Sequence, residues 1–320
     1  MHHYAACSHL RNVCGSDAQV TRLPKLWESA SEVTSPAIDF LSVVIALFVV
    51  VSAALALVVW RLMDTRAKVS VGSESCPWTL GDVMTVFGLG GWLTLMLLAP
   101  DVAVSGLTRE GTLSISAAPL ARMVLIQNVV LALTCFLWLR VRRGVSLSRL
   151  GLTDVDWRRR MRAGLKAGFA VWLLAEIAVR LTRAAAPRVF SPETLQVLTS
   201  MESSTTLLQA ILPTVSVGGL VVFVILVGLV APLVEEVLFR GFAYPAMKAR
   251  WGSRWGMAVS GAFFAAAHLT LLDFPALCVV GVFLAWLYEE TGSLVAPYTA
   301  HAVNNVLTVV VLAFFGQGAV

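Results

Sequence analysis

The sequence predicts an all-α fold, a polytopic membrane helix bundle of about eight transmembrane helices. Three observations predict it. Hydrophobic residues make up 58% of the 320 and charged residues only 13%, with a mean hydropathy of +0.81. A soluble domain carries about 45–50% apolar and about 25% charged residues, so the surplus apolar surface must face lipid. Apolar runs near the roughly 20 residues that cross hydrocarbon as a helix recur along the chain. The basic residues collect between those runs, where they set membrane orientation. The net charge of +5 is therefore a topology signal, and no nucleic-acid partner is expected.

Taken in order, residues 1–36 read as a polar N-terminal tail holding Cys7, Cys14, His2, His3 and His9. Their spacing fits no common zinc site and the chain has no CxxC pair. No apolar core follows a basic start there, so a signal peptide is not expected. The first run, 37–60, has Asp39 as its only charge. Seven more follow at 79–99, 119–139, 164–182, 215–239, 256–272, 275–290 and 293–316, the seventh being short. The connection 140–166 carries Arg140, Arg142, Arg143, Arg149, Arg158, Arg159, Arg160, Arg162 and Lys166 against Asp154 and Asp156. Such enrichment marks the cytoplasmic side. By parity the connections 61–78 (Arg61, Arg66, Lys68) and 240–255 (Arg240, Lys248, Arg250, Arg254) share that side, which puts both termini outside the cytoplasm.

Charge in hydrocarbon is costly, about 2.5–3.5 kcal/mol for a central Asp, Lys or Arg, so an intramembrane ionisable group is a functional candidate. Most runs contain almost none. The fifth ends in Glu235-Glu236-Val237-Leu238-Phe239-Arg240. Glu236 and Arg240 stand at i, i+4 and can pair. Glu235, about 100° round the helix, is left free. The sixth run holds Phe264-Ala265-Ala266-Ala267-His268, with Phe264 and His268 on one face and alanines that permit close helix approach. The eighth opens with Pro297 and places His301 and Asn305 at i, i+4. Each motif alone has a plain structural reading: solvated interfacial carboxylates, a core histidine bonded to a carbonyl, polar glue between helices. Together they are harder to explain so. Beyond residue 9 the chain has two histidines, both lie in predicted spans, and a carboxylate pair lies on a third. A shared site is the reading that accounts for all three.

The remaining acidic residues call for structural readings. Asp82 stands near a span end and Asp101 follows one. Glu176 and Arg180 form a structural i, i+4 pair. Asp273 lies in a short turn, and Glu289 and Glu290 are solvated at the end of the seventh run.

EEVLFRG at 235–241, FAAAH at 264–268 and HAVNN at 301–305 resemble, in order, the EExxxR, FxxxH and HxxxN signatures of the CPBP family, the type II CAAX prenyl endopeptidase and bacteriocin-processing membrane proteases. TGSLVAP at 291–297 is similar as well, and the resemblance covers about 210–316. It implies a cavity open to the cytoplasmic side, in a bacterial or archaeal cell membrane. It implies that Glu235 and His268 activate a water and that His301 and Asn305 stabilise the oxyanion, with Glu236, Arg240 and Phe264 in support. It divides the chain into the tail 1–36, accessory transmembrane helices 37–206 with the basic loop 140–166, and catalytic helices 207–320.

The expected function is then an endopeptidase acting on a membrane-associated peptide or protein, C-terminally lipidated in the CAAX-like case, within the lipid bilayer. No cofactor is required by a glutamate/histidine water mechanism. The alternative is a divalent metal such as zinc on Glu235, His268 and His301, a carboxylate and two imidazoles being a familiar catalytic zinc set, although no HExxH occurs. Two other classes compete: a catalytically silent scaffold or immunity protein on the same fold, and a small proton-coupled transporter. The intact four-residue set speaks against the first. The confinement of motifs to the C-terminal half speaks against the second, because transporters favour paired repeats.

Overall fold

The computed structural model describes residues 76–105, 117–145, 156–201, 212 and 215–315, which are helical with no strand. The tail and the predicted run 37–60 lie outside the described residues. The helices are α1 (Leu80–Ser105), α2 (Ala117–Leu137, extended by a wide π turn Trp138–Arg142), α3 (Trp157–Val189), α4 (Pro192–Met201), α5 (217–243), α6 (Tyr244–Ala267), α7 (Phe274–Thr291) and α8 (Val295–Phe315). Among the described residues five stretches are long and apolar enough to cross a membrane. Large apolar side chains such as Leu125, Val129, Leu133 and Phe136 of α2 point outward, which water would penalise and lipid does not.

The run 37–60 lies outside the described residues, and the rest of the difference from eight has two sources. The predicted fourth run lies inside α3 and carries Lys166, Glu176 and Arg180, more charge than a spanning stretch holds. The predicted fifth and sixth runs join into one helical stretch, Val217–Ala267. The reversal between them is a single residue. Gly252 adopts φ 77°, ψ 171°, a left-handed φ that only glycine takes without strain. The chain folds back there so closely that a Cβ on Gly256 would lie 2.9 Å from Lys248 Cα.

Two polar clusters fix one end of the bundle. Asp82, fully buried, accepts bonds from Arg143 Nη2 (2.6 Å), Trp138 Nε1 (2.8 Å) and the Thr79 hydroxyl (2.8 Å), tying α1 to the end of α2. Glu289 accepts from Lys248 Nζ (2.6 Å), Ser253 Oγ (2.6 Å) and Tyr244 Oη (2.8 Å). Glu289 is thus a three-donor clasp across the Gly252 hairpin and not a solvated end group. Arg160 donates to the Thr291 carbonyl and Trp78 Nε1 to Phe242 O (2.7 Å), so the described parts of all three basic connections meet at this end. No ion pair joins Glu176 to Arg180 among the described residues. The C-terminal end of α3 instead brings Arg183 to 3.9 Å from Asp273.

α3 packs along α8 through a small-residue seam. A Cβ on Gly164 would come within 2.5 Å of Ala296 O, and one on Gly168 within 2.5 Å of Val303 Cβ and 2.9 Å of Ala300 O. This Gly-x-x-x-Gly pair brings two backbones together, as small residues do in membrane bundles. Both contacts advance in step, so the helices run parallel, and α3 backs the stretch of α8 that carries His301.

Candidate active site

The two carboxylates fall where α5 departs from regular helix. Wide π turns at Val224–Val230 and Val237–Ala243 flank the short α segment Ala231–Glu236, and such turns gather at functional sites. The first has a simple cause and consequence. In its register the Ala231 N–H reaches Leu226 O. The next carbonyl, Val227 O, would therefore look to residue 232, which is a proline without an N–H. Asn305 Nδ2 takes that carbonyl at 3.0 Å, joining α8 to α5 beside the glutamates.

Glu236 and Arg240 are fully buried and pair at 2.8 Å, Nη1 to Oε1. Arg240 is therefore not one of the orienting charges of the 240–255 connection, as the sequence suggested. Its Nη2 donates to Gly281 O of α7 (3.1 Å), and its guanidinium lies 4.7 Å above the Phe264 ring. A fully desolvated charge needs both an opposite charge and hydrogen bonds, and Arg240 has them.

His301, also buried, donates Nδ1–H to the same Glu236 Oε1 at 2.7 Å. A carboxylate only accepts, so Nδ1 carries a proton and the ring turns Nε2 outward. That atom lies 3.7 Å from Glu235 Oε2. The Glu235 side chain is 23% exposed, yet its Oε2 is buried without a hydrogen-bond partner. One carboxylate is thus fixed by a cation, and its neighbour on the next helical position has an oxygen free beside an imidazole.

His268 closes α6. Its Nδ1 donates to Phe264 O at 2.8 Å, again because a carbonyl only accepts, so Nε2 is its basic nitrogen. The Phe264 ring stands between both histidines, 4.6 Å from His268 and 5.6 Å from His301 between centroids, edge-on to the latter. A single phenyl group therefore spaces Arg240, His268 and His301.

The structure gathers Glu235, Glu236, Arg240, Phe264, His268 and His301 around one region. Asn305 faces the α5 backbone from the next turn of α8. Asn304 was not singled out in the sequence. Its Nδ2 donates to Asn305 Oδ1 (3.1 Å) and its own buried Oδ1 has no partner. The doubled Asn-Asn of HAVNN was the signal that could have found it. The donor types of Glu235, His268 and His301 suit a cation, but among the described residues no three His, Cys, Asp or Glu side chains are grouped to hold a metal ion.

With this geometry in place, comparison with known proteins bears on the family. Residues 217–307 match the family model described as Type II CAAX prenyl endopeptidase Rce1-like. That region runs from the start of α5 to the turn of α8 beyond Asn305, and contains every residue of the site. The match supports the CPBP resemblance carried by the three motifs. No curated protein and no solved structure matches the chain.

Proposed function

We propose, from an Rce1-like C-terminal region whose Glu235 and buried His301 face each other, that this chain is an intramembrane endopeptidase working through a Glu235/His268-activated water. The observation that carries the reading is the pairing of a free oxygen, Glu235 Oε2, with His301 Nε2 at 3.7 Å, next to a neutralised Glu236–Arg240 pair.

The chemistry follows from what these atoms can do. Glu235 Oε2 and the Nε2 lone pair of His268 accept a proton, and water supplies one. In this reading Glu235, assisted by His268, takes a proton as the water oxygen bonds to the scissile carbonyl carbon. A positioned base of this kind contributes about 10²–10⁴-fold. Glu235 and Glu236 against Arg240 leave one negative charge, which a protonated His301 neutralises. In that form Nε2–H donates to the developing oxyanion, with the second N–H of Asn305 as its companion. A donor of this type contributes about 2.7–4 kcal/mol. When the carbon–nitrogen bond breaks, the proton held by Glu235 passes to the departing amine, so one water is consumed and the acid returns to its starting state.

The substrate is a membrane-associated peptide, and the bilayer setting favours one tethered by a C-terminal lipid. Cleavage of a C-terminally prenylated peptide by the purified protein in liposomes tests the reading. The expected result is turnover by the wild type and a loss of at least about 10²-fold in Glu235→Gln and in His268→Ala, with unchanged melting temperatures. Normal turnover by both variants overturns the assignment. Equal activity of wild type and Glu235→Gln in a cell-based complementation assay would favour a scaffold on the same fold.

A further inference from the structure

We propose that the N-terminal end of α3 is a binding site for the phosphate of an anionic phospholipid, with an acyl chain laid along the helix beneath it. The proposal stands apart from the endopeptidase reading and uses none of its residues.

A cavity of about 420 Å³, open to the outside, is lined by Asp156, Trp157, Arg158, Arg159 and Arg162. Its three cations face one carboxylate. Arg158, Arg159 and Arg162 are exposed and make no ion pair among the described residues. Arg158 lies 5.3 Å over the Trp157 ring, which steadies its guanidinium. Guanidinium groups bind phosphate oxygens two at a time, a geometry lysine cannot match. Neighbouring Arg160 is drawn away to the Thr291 carbonyl, so the other three carry the local field.

What lies below the arginines decides the ligand. At 100° per residue, positions 158, 162, 165, 169 and 173 fall within about 80° of arc. This flank therefore passes from Arg158 and Arg162 to Leu165, Phe169 and Leu173, which are 43%, 59% and 56% exposed. Gly164, Gly168 and Val171 point elsewhere, into the seam with α8. From residue 158 to 173 the rise is about 22 Å at about 1.5 Å per residue, longer than half of a hydrocarbon core about 30 Å thick. Trp157 adds the aromatic group that settles at the membrane–water boundary. A soluble phosphate would use only the top of this surface. A diacyl phosphate uses both parts, and basic clusters of this size attract anionic headgroups.

The test uses the purified full-length protein in neutral detergent, with native mass spectrometry and thermal melting read against added phosphatidylglycerol, phosphatidylcholine or inorganic phosphate. Phosphatidylglycerol is expected to bind saturably and raise the melting temperature, while the other two do neither. Arg158→Gln with Arg162→Gln should weaken phosphatidylglycerol by about 30-fold. Phe169→Ser should weaken it less, and Arg183→Gln at the far end of α3 not at all. Equal binding of phosphatidylcholine and phosphatidylglycerol overturns the proposal, as does stabilisation by inorganic phosphate alone. Undiminished affinity in the double arginine variant, folded as judged by its lipid-free melting temperature, also overturns it. Wild-type lipid selectivity remains decisive even if that variant fails to fold.

Discussion

Glu236 Oε1 accepts a 2.7 Å bond from His301 Nδ1 while holding Arg240 Nη1 at 2.8 Å. One buried oxygen thus sets the tautomer of an imidazole on α8 and neutralises a guanidinium on its own helix. The arrangement ties stability and site geometry to the same atom, and the two can be separated by mutation.

Removing either member of this buried pair leaves a charge without its partner, which costs about 3–5 kcal/mol. Glu236→Leu and Arg240→Met should each lower the midpoint of unfolding in detergent. The double variant, which buries no lone charge, should recover most of the loss. Cleavage should be absent in Glu236→Leu and should stay absent in the double variant, because there His301 has lost its Nδ1 acceptor. A double variant as unstable as the sum of the singles would show that the pair does not act as a unit.

The parts of this arrangement legible in the sequence were those written in helical spacing. Glu236 to Arg240, Phe264 to His268 and His301 to Asn305 all follow from i, i+4 geometry, and a lone histidine in an apolar run announces itself. What spacing cannot show is which helices meet. The bond from Glu236 to His301 spans 65 positions, and that from Arg240 to Gly281 O spans 41. Gly164 and Gly168 had the small-x-x-x-small signature in plain view, but only packing identifies α8 as their partner. Glu289 looked solvated because its three donors are supplied by a hairpin at Gly252 that hydropathy alone places as a loop. The run 37–60 lies outside the described residues.

Asn305 makes a second prediction. It satisfies Val227 O, a carbonyl that Pro232 leaves without a helical donor. Asn305→Leu removes both this bond and the N–H assigned to the oxyanion. Interhelical hydrogen bonds of this kind are worth about 1–2 kcal/mol at most, whereas a transition-state donor is worth about 2.7–4 kcal/mol. The variant should therefore lose about 10²–10³-fold in turnover with a modest drop in melting temperature. A stability loss alone, with turnover of the folded fraction intact, would assign Asn305 to packing.

Metal dependence is the third. The water mechanism draws only on side chains of the protein itself, so dialysis against EDTA or 1,10-phenanthroline should change the cleavage rate by less than about twofold, well under the 1.4 kcal/mol that a tenfold change represents. Loss of activity restored by added zinc would install a metal at this site and replace the proposed base.

The fourth concerns α3, which touches none of the reacting groups. A Cβ at Gly168 would meet Val303 Cβ at 2.5 Å and the Ala300 carbonyl at 2.9 Å. Ala300 precedes His301, so relief of that clash moves the histidine's backbone. Gly168→Val should lower the melting temperature and cut turnover, the second effect persisting in the folded fraction, since a misplacement of about 1 Å can cost about 10²-fold. Gly90 supplies the control. A Cβ there comes within 2.7 Å of Leu131 Cδ2, the far end of a side chain that can rotate aside, on helices remote in sequence from the site. Gly90→Ala should leave turnover unchanged. Equal turnover in Gly168→Val and wild type, measured on folded protein, would mean that α8 holds His301 in place without α3 behind it.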